Sequence, residues 1–176
     1  MVEAAPAVTR VPSAISFALI AAREAGLPLL WITQPKSGCH LFPEGVMDFL
    51  SPDQLLIACP ANATDALAVA EEALKDKSVR TVVLESYSEL NLREGRRLQL
   101  AAKTGGGLGL CLIRENMGSN ASETRWYCEG VYDPKTADST LMRWECKKNK
   151  SGTIGVWYVR WDRTAHRLHM VPPPAI

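Results

Sequence analysis

This chain has no phosphate-gripping loop. The pattern Gly-x-x-x-x-Gly-Lys-Ser/Thr, in which bare backbone N–H groups, a lysine and a hydroxyl surround phosphate and magnesium together, occurs nowhere in its 176 residues. The nearest glycine cluster, Gly105, Gly106 and Gly107 with Gly109, follows a helical stretch and leads into a strand. That is the wrong end of the element to receive an anion, so the cluster reads as a helix C-cap and turn. Long apolar runs are missing as well. No stretch approaches a membrane span, and Met1 to Thr9 is acidic and Ala/Pro-rich without an apolar h-region, so the chain is expected to be soluble and cytoplasmic, with no membrane partner.

Metal and nucleophile patterns are equally scarce. The five cysteines, Cys39, Cys59, Cys111, Cys128 and Cys146, are an odd number without framework spacing, and Cys59 and Cys111 lie in apolar runs. They read as reduced core residues. Cys39-His40 lacks structural zinc spacing, and His166 and His169, three apart on an expected strand, would point to opposite faces. No Gly-x-Ser-x-Gly elbow is present, and Ser86 and Ser88 have no evident histidine partner. No metal, cofactor or catalytic residue is expected.

What is present is a good core. Hydrophobic residues make up 47% of the chain, enough for one well-buried domain. The net charge of +1 hides a gradient: from Leu141 onward seven Lys or Arg stand against two acids, giving +5, and residues 1–140 carry −4. Such a basic segment suits a polyanion or an acidic protein; lysines on strand edges also serve simply to prevent aggregation.

Strands and helices alternate along the first two thirds. Ser13 is placed to cap a helix to about Ala25, with Ile15, Ala18, Leu19 and Ala22 on one face. Leu29 to Thr33 follows as a strand, then a short helix after Pro43 with Val46, Phe49 and Leu50 on its apolar side, then a strand from Leu55 to Cys59. A second long helix starts near Asn62 or Thr64, with Ala66, Leu67, Ala70, Ala73 and Leu74 at helical spacing. Val79 to Leu84 is a strand, Asn91 caps a helix in which Leu92, Leu98 and Ala101 or Ala102 turn inward, and Leu108 to Ile113 is a strand. The runs TVVL and GLCLI are apolar on both sides, as strands covered by helices on both faces must be. After Arg114 the pattern changes to strands alone: Thr124 to Val131, Leu141 to Lys147, Ile154 to Trp161 and Arg167 to Val171, joined by turns. Asp133 to Thr140 and Lys148 to Gly152 are expected as exposed connections. No repeat or linker separates the halves, which gives a short flexible N-terminus (1–12), one domain (13–171, a βα core to 114 and an antiparallel extension from 115) and a tail (172–176).

Those elements carry a resemblance. The segment RRLQLAA (Arg96 to Ala102) after a strand of the type TVVLES, an LxLxLxR-like strand, then TRW (Thr124 to Trp126), RWEC (Arg143 to Cys146) and a closing W-x-V-x-W hairpin resemble the ImuA family over roughly Phe17 to Val171. The resemblance implies a RecA-like α/β fold, a mostly parallel sheet flanked by helices and extended by C-terminal antiparallel strands. It also implies a place in bacterial SOS mutagenesis, beside an ImuB-type polymerase-like protein and an error-prone polymerase, with RecA as a further partner. The related SulA proteins, which inhibit cell division by binding FtsZ, supply the alternative. Family members carry a longer N-terminal region with a Gly-rich version of the phosphate loop; the corresponding position here reads Thr9-Arg10-Val11-Pro12-Ser13, so ATPase activity is not expected. Glu85 falls where a RecA-type ATPase places its magnesium-holding acid, but without a phosphate cradle its charge has nothing to hold there, and the plain end of a strand at the carboxyl edge of the sheet is the preferred reading over metal binding.

Two places could meet a partner or DNA. Arg93, Arg96 and Arg97 fall at i, i+3 and i+4 on one turn of the third long helix, with Lys103 beyond. They form either a patch for phosphate or an acidic partner, or a solvated face neutralised by Glu89 and Glu94. In the closing hairpin, Trp157, Val159 and Trp161 alternate with Val156, Tyr158 and Arg160; Tyr158 and Arg160 with Lys147, Lys148 and Lys150 offer the aromatic and basic mixture that grips single-stranded nucleic acid, although strand tryptophans commonly serve packing. Gln54-Leu55-Leu56 has the look of a polymerase-clamp tether but lies in a strand expected to be buried, which argues against that role.

Overall fold

The computed structural model describes residues 1–6, 12–33, 41–86, 88–114, 117–134 and 140–174. Within them, short segments, apolar except for β1, form the parallel strands β1 (Val2–Pro6), β2 (Leu29–Ile32), β3 (Leu55–Ala58), β4 (Thr81–Glu85) and β5 (Leu108–Leu112). Four more strands follow: β6 (Thr124–Gly130), β7 (Leu141–Asn149), β8 (Gly155–Asp162) and β9 (Arg167–Val171). All of these join one sheet in the order β3-β2-β4-β5-β1-β6-β7-β8-β9. It is parallel as far as β6 and antiparallel beyond. The helices are α1 (Pro12–Ala25), α2 (Pro43–Met47), α3 (Ala63–Lys75) and α4 (Leu92–Gly105). The expected mixed α/β sheet is therefore found.

Strand order fixes which face each helix covers. Crossovers between parallel strands are right-handed, so those running in opposite directions along a sheet must pass over opposite faces. The step from β1 to β2 runs toward the β3 edge and carries α1; the steps from β3 to β4 and from β4 to β5 run back and carry α3 and α4. Phe17, Leu19 and Ile20 of α1 accordingly pack with Trp31, Val83 and Leu110. On the other face, Ala66, Ala70 and Leu74 of α3 and Leu98, Ala101 and Ala102 of α4 pack with Ile32, Val82, Leu84 and Cys111. Neighbours such as Val82 and Val83 alternate between the two cores, which is why all of β4 is buried.

The α1 core continues beneath the antiparallel strands. The Phe17 ring meets Trp144 edge-on at 4.8 Å and Trp126 at 5.6 Å. Phe49 stacks on Trp161 at 5.3 Å, and the Trp161 indole N–H donates to the Asp48 carbonyl at 2.9 Å. Trp157, Val159 and Trp161 all pack in this core, the side expected from their alternation.

Several expectations change. Residues 2–6 are not a flexible lead-in but strand β1, paired in parallel with both β5 and β6. VEAAP carries no alternation to announce a strand; two ladders of backbone hydrogen bonds hold it. The segment from 115 is not wholly antiparallel, because β6 pairs parallel with β1 and antiparallel with β7. Ser13 lies inside α1, and its hydroxyl donates to the Cys128 carbonyl at 3.1 Å. Leu92 is 60% exposed, because it opens α4 on the outward side. β3 is an edge strand, so Leu56 and Ile57 are 50% and 57% exposed and Cys59 is exposed as well. His166 stands in the turn before β9 with a positive φ of 48°, not on a strand. Lys148 and Asn149 belong to β7, not to a loop. The loop position at Thr9 to Val11, Cys39-His40, and most of the connection from Asp133 to Thr140 lie outside the described residues.

Candidate docking surfaces

Sequence sets both ends of α4. Asn91 accepts from the Glu94 N–H while the Glu94 carboxylate accepts from the Asn91 N–H, both at 2.9 Å, and Gly106 closes the helix in the left-handed conformation at φ 71°. Close approaches seat it. Any Cβ at Gly105 would collide with the Leu74 carbonyl of α3, and one at Gly95 with the Ser119 side chain. Helical spacing then turns Leu92, Arg93, Arg96, Leu100 and Lys103 outward, and all five are exposed.

The arginines of that face are not equivalent. Arg97 reaches Glu71 of α3 at 2.5 Å, and Glu71 also meets Lys75 at 3.0 Å. The Lys75 hydrogen bond, helped by the Arg97 charge, holds the Glu71 carboxyl below its ordinary value against the opposing effect of burial. A depressed carboxylate favours the fold while ionised, so this link between α3 and α4 is complete at neutral pH and is lost as pH falls through the lowered value. Arg93, Arg96 and Lys103 form no ion pair or side-chain hydrogen bond among the described residues. Of the two expected neutralisers, Glu94 is engaged in the cap, and exposed Glu89 forms no ion pair among the described residues.

The candidate cations of β7, β8 and the turn between them are engaged. Arg160 meets Asp133 at 2.6 Å, and Arg143 lies between Glu129 at 3.1 Å and Glu145 at 3.0 Å. Lys147 Nζ stands 4.4 Å from the centre of the Tyr127 ring. Lys148 donates to the Asn120 carbonyl at 3.0 Å, and Lys150 to that of Ala121 at 2.9 Å. Half-buried Tyr158 sits across the ladder from Arg143. The structure does not gather the expected group: Arg160 pairs with Leu141 at one end of β7, and Lys148 lies seven residues along, about 24 Å at ~3.4 Å per residue. Sequence reading missed Tyr127, Asp133, Arg143, Glu129 and Glu145, because cross-strand partners follow from register, which alternation alone does not supply. It also missed the outward leucines of α4, although Leu92, Arg96 and Leu100 share one helical period.

At the carboxyl edge of the parallel strands, Glu85 is 7% exposed. One carboxylate oxygen accepts from the Trp31 indole N–H at 2.7 Å, the other from the Thr33 hydroxyl at 2.9 Å. Neutral donors from β2 and the residue that follows it thus reach both oxygens. No cluster of three or more His, Cys, Asp or Glu able to hold a metal ion occurs among the described residues, and no helix among them is long and apolar enough to cross a membrane.

Fold and surfaces define a mixed α/β protein whose parallel sheet, helix-covered on both faces, is extended by antiparallel strands. No family model matches it. The chain is 27% identical over 161 residues to Protein ImuA of Caulobacter vibrioides strain NA1000 / CB15N, and to the same degree to that of strain ATCC 19089 / CIP 103742 / CB 15. The match takes in 82% of this chain, which spans 64% of the length of those relatives. It bears out the ImuA resemblance of the sequence, at a distance.

Proposed function

We propose that the chain serves DNA-damage-induced mutagenesis as a non-catalytic, RecA-like adaptor. In this reading it helps to assemble an error-prone translesion polymerase through an ImuB-type partner, with RecA as a second contact. The observation that carries the reading is the similarity to Protein ImuA across 82% of the chain. Two features support a role in binding over one in hydrolysis. The sequence contains no phosphate loop, and Glu85, at the position of a magnesium-holding acid, is occupied by Trp31 and Thr33. An adaptor loses nothing by either, since a rigid sheet with an exposed helix face is all it needs.

Two measurements test this. The purified chain is expected to capture an ImuB-type protein in a pull-down and to hydrolyse ATP, with or without DNA, no faster than a heat-killed control. Absence of capture by the wild-type chain, or clear DNA-stimulated turnover, defeats the adaptor reading.

A further inference from the structure

Resting on the adaptor reading, we propose that the outward face of α4 receives an acidic amphipathic segment of a protein partner, and not nucleic acid. Arg93, Arg96 and Lys103 are exposed cations without partners among the described residues, and Arg97 is shared with Glu71, so the face is electropositive. Leu92 stands beside Arg93 and Arg96, and Leu100 between Arg96 and Lys103; the two leucines are 60% and 54% exposed. They lie eight residues apart, about 12 Å along the helix at ~1.5 Å per residue.

That mixture discriminates between ligands. A phosphate backbone satisfies arginines and lysines but gives two aliphatic side chains nothing to pack against, and this face offers no aromatic ring on which a base could stack. A helix with glutamates or aspartates flanking apolar residues satisfies both sets at once, apolar side chains on the leucines and carboxylates on the cations. Charge complementarity thus names the occupant. The candidate basic residues of the C-terminal strands do not compete for it, because ion pairs hold Arg143 and Arg160, backbone carbonyls hold Lys148 and Lys150, and Lys147 lies over the Tyr127 ring. The platform is also pre-organised: Gly105 against the Leu74 carbonyl and Gly95 against Ser119 fix α4 before any partner arrives.

The test uses the full chain with an R93E/R96E variant and an L92S/L100S variant, each first checked for unchanged circular dichroism. The probes are a purified ImuB-type protein, a synthetic helix with leucines at eight-residue spacing and glutamates between them, and a single-stranded oligonucleotide. Both variants are expected to bind the ImuB-type protein at least ten-fold more weakly, the arginine variant with a shallower salt dependence. Benzophenone placed at position 100 should cross-link to an acidic segment. The synthetic helix should bind the wild-type chain and neither variant, while oligonucleotide binding stays the same in all three. Undiminished capture by either variant, or loss of oligonucleotide binding in R93E/R96E, overturns the proposal. If the wild-type chain fails to capture the ImuB-type protein, the adaptor reading falls, and the synthetic helix still decides the face: equal binding to wild type and R93E/R96E overturns the proposal.

Discussion

Glu85 shows how one acid can be read in two ways until its neighbours are known. The sequence places it at the end of an apolar strand; only the pairing of β4 with β2 brings the Trp31 indole and the Thr33 hydroxyl to its two oxygens. A buried carboxylate held in this way is a structural tie between strands, because each oxygen would otherwise lose water without compensation. Glu85→Ala removes the acceptor of both bonds from the buried end of β4. Urea unfolding is expected to show a loss of about 1–3 kcal/mol. The midpoint of thermal unfolding of the wild-type chain should not move on adding millimolar magnesium; a magnesium-dependent rise that Glu85→Ala removes would return Glu85 to the role of a metal ligand.

Elements were legible in type, and their places in the sheet were not. LLIA and TVVL are both short apolar runs, yet β3 ends the sheet with Leu56 and Ile57 half-exposed while β4 is buried along its length. Strand order depends on crossovers, and nothing local in a tetrapeptide records it. An expectation of burial argues against the tether-like Gln54-Leu55-Leu56, and the edge position of β3 removes that ground. β3 carries no charge to discourage pairing with other chains. Ile57→Lys is therefore expected to change stability by less than about 0.5 kcal/mol and to reduce self-association in sedimentation, whereas Val83→Lys, at the same height in the core, should prevent folding. Helix caps were legible because they are local: Asn62, Asn91 and the glycines after α4 act where their side chains and φ values predict. The tight seat of α4 was hidden, since Gly105 meets a carbonyl thirty-one residues away in sequence. Gly105→Ala forces α3 and α4 apart, with an expected loss of about 1–3 kcal/mol in unfolding free energy, read as a lower denaturant midpoint.

For the whole molecule, the question is whether the antiparallel strands form an appendage or part of one body. Composition gave no linker, and β6 answers in structural terms by pairing with β1 on one side and β7 on the other. The core under α1 crosses that seam: Phe17 touches Trp126 and Trp144, and the same cluster holds Trp31 and Val83 of the parallel strands. Removing strands beyond β6 would strip one side of α1, so neither half can keep its apolar surface buried alone. The chain should therefore unfold as a unit. Far-UV circular dichroism, weighted to helices over the parallel strands, and tryptophan fluorescence, weighted to Trp126, Trp144, Trp157 and Trp161, are expected to trace the same denaturation curve. Phe17→Ala opens a cavity at the seam and should cost about 3–5 kcal/mol, moving both signals together to lower denaturant. Two separated transitions, or a fluorescence change in Phe17→Ala that leaves the helical signal in place, would show that the extension folds independently and that the nine strands are joined only by their edges.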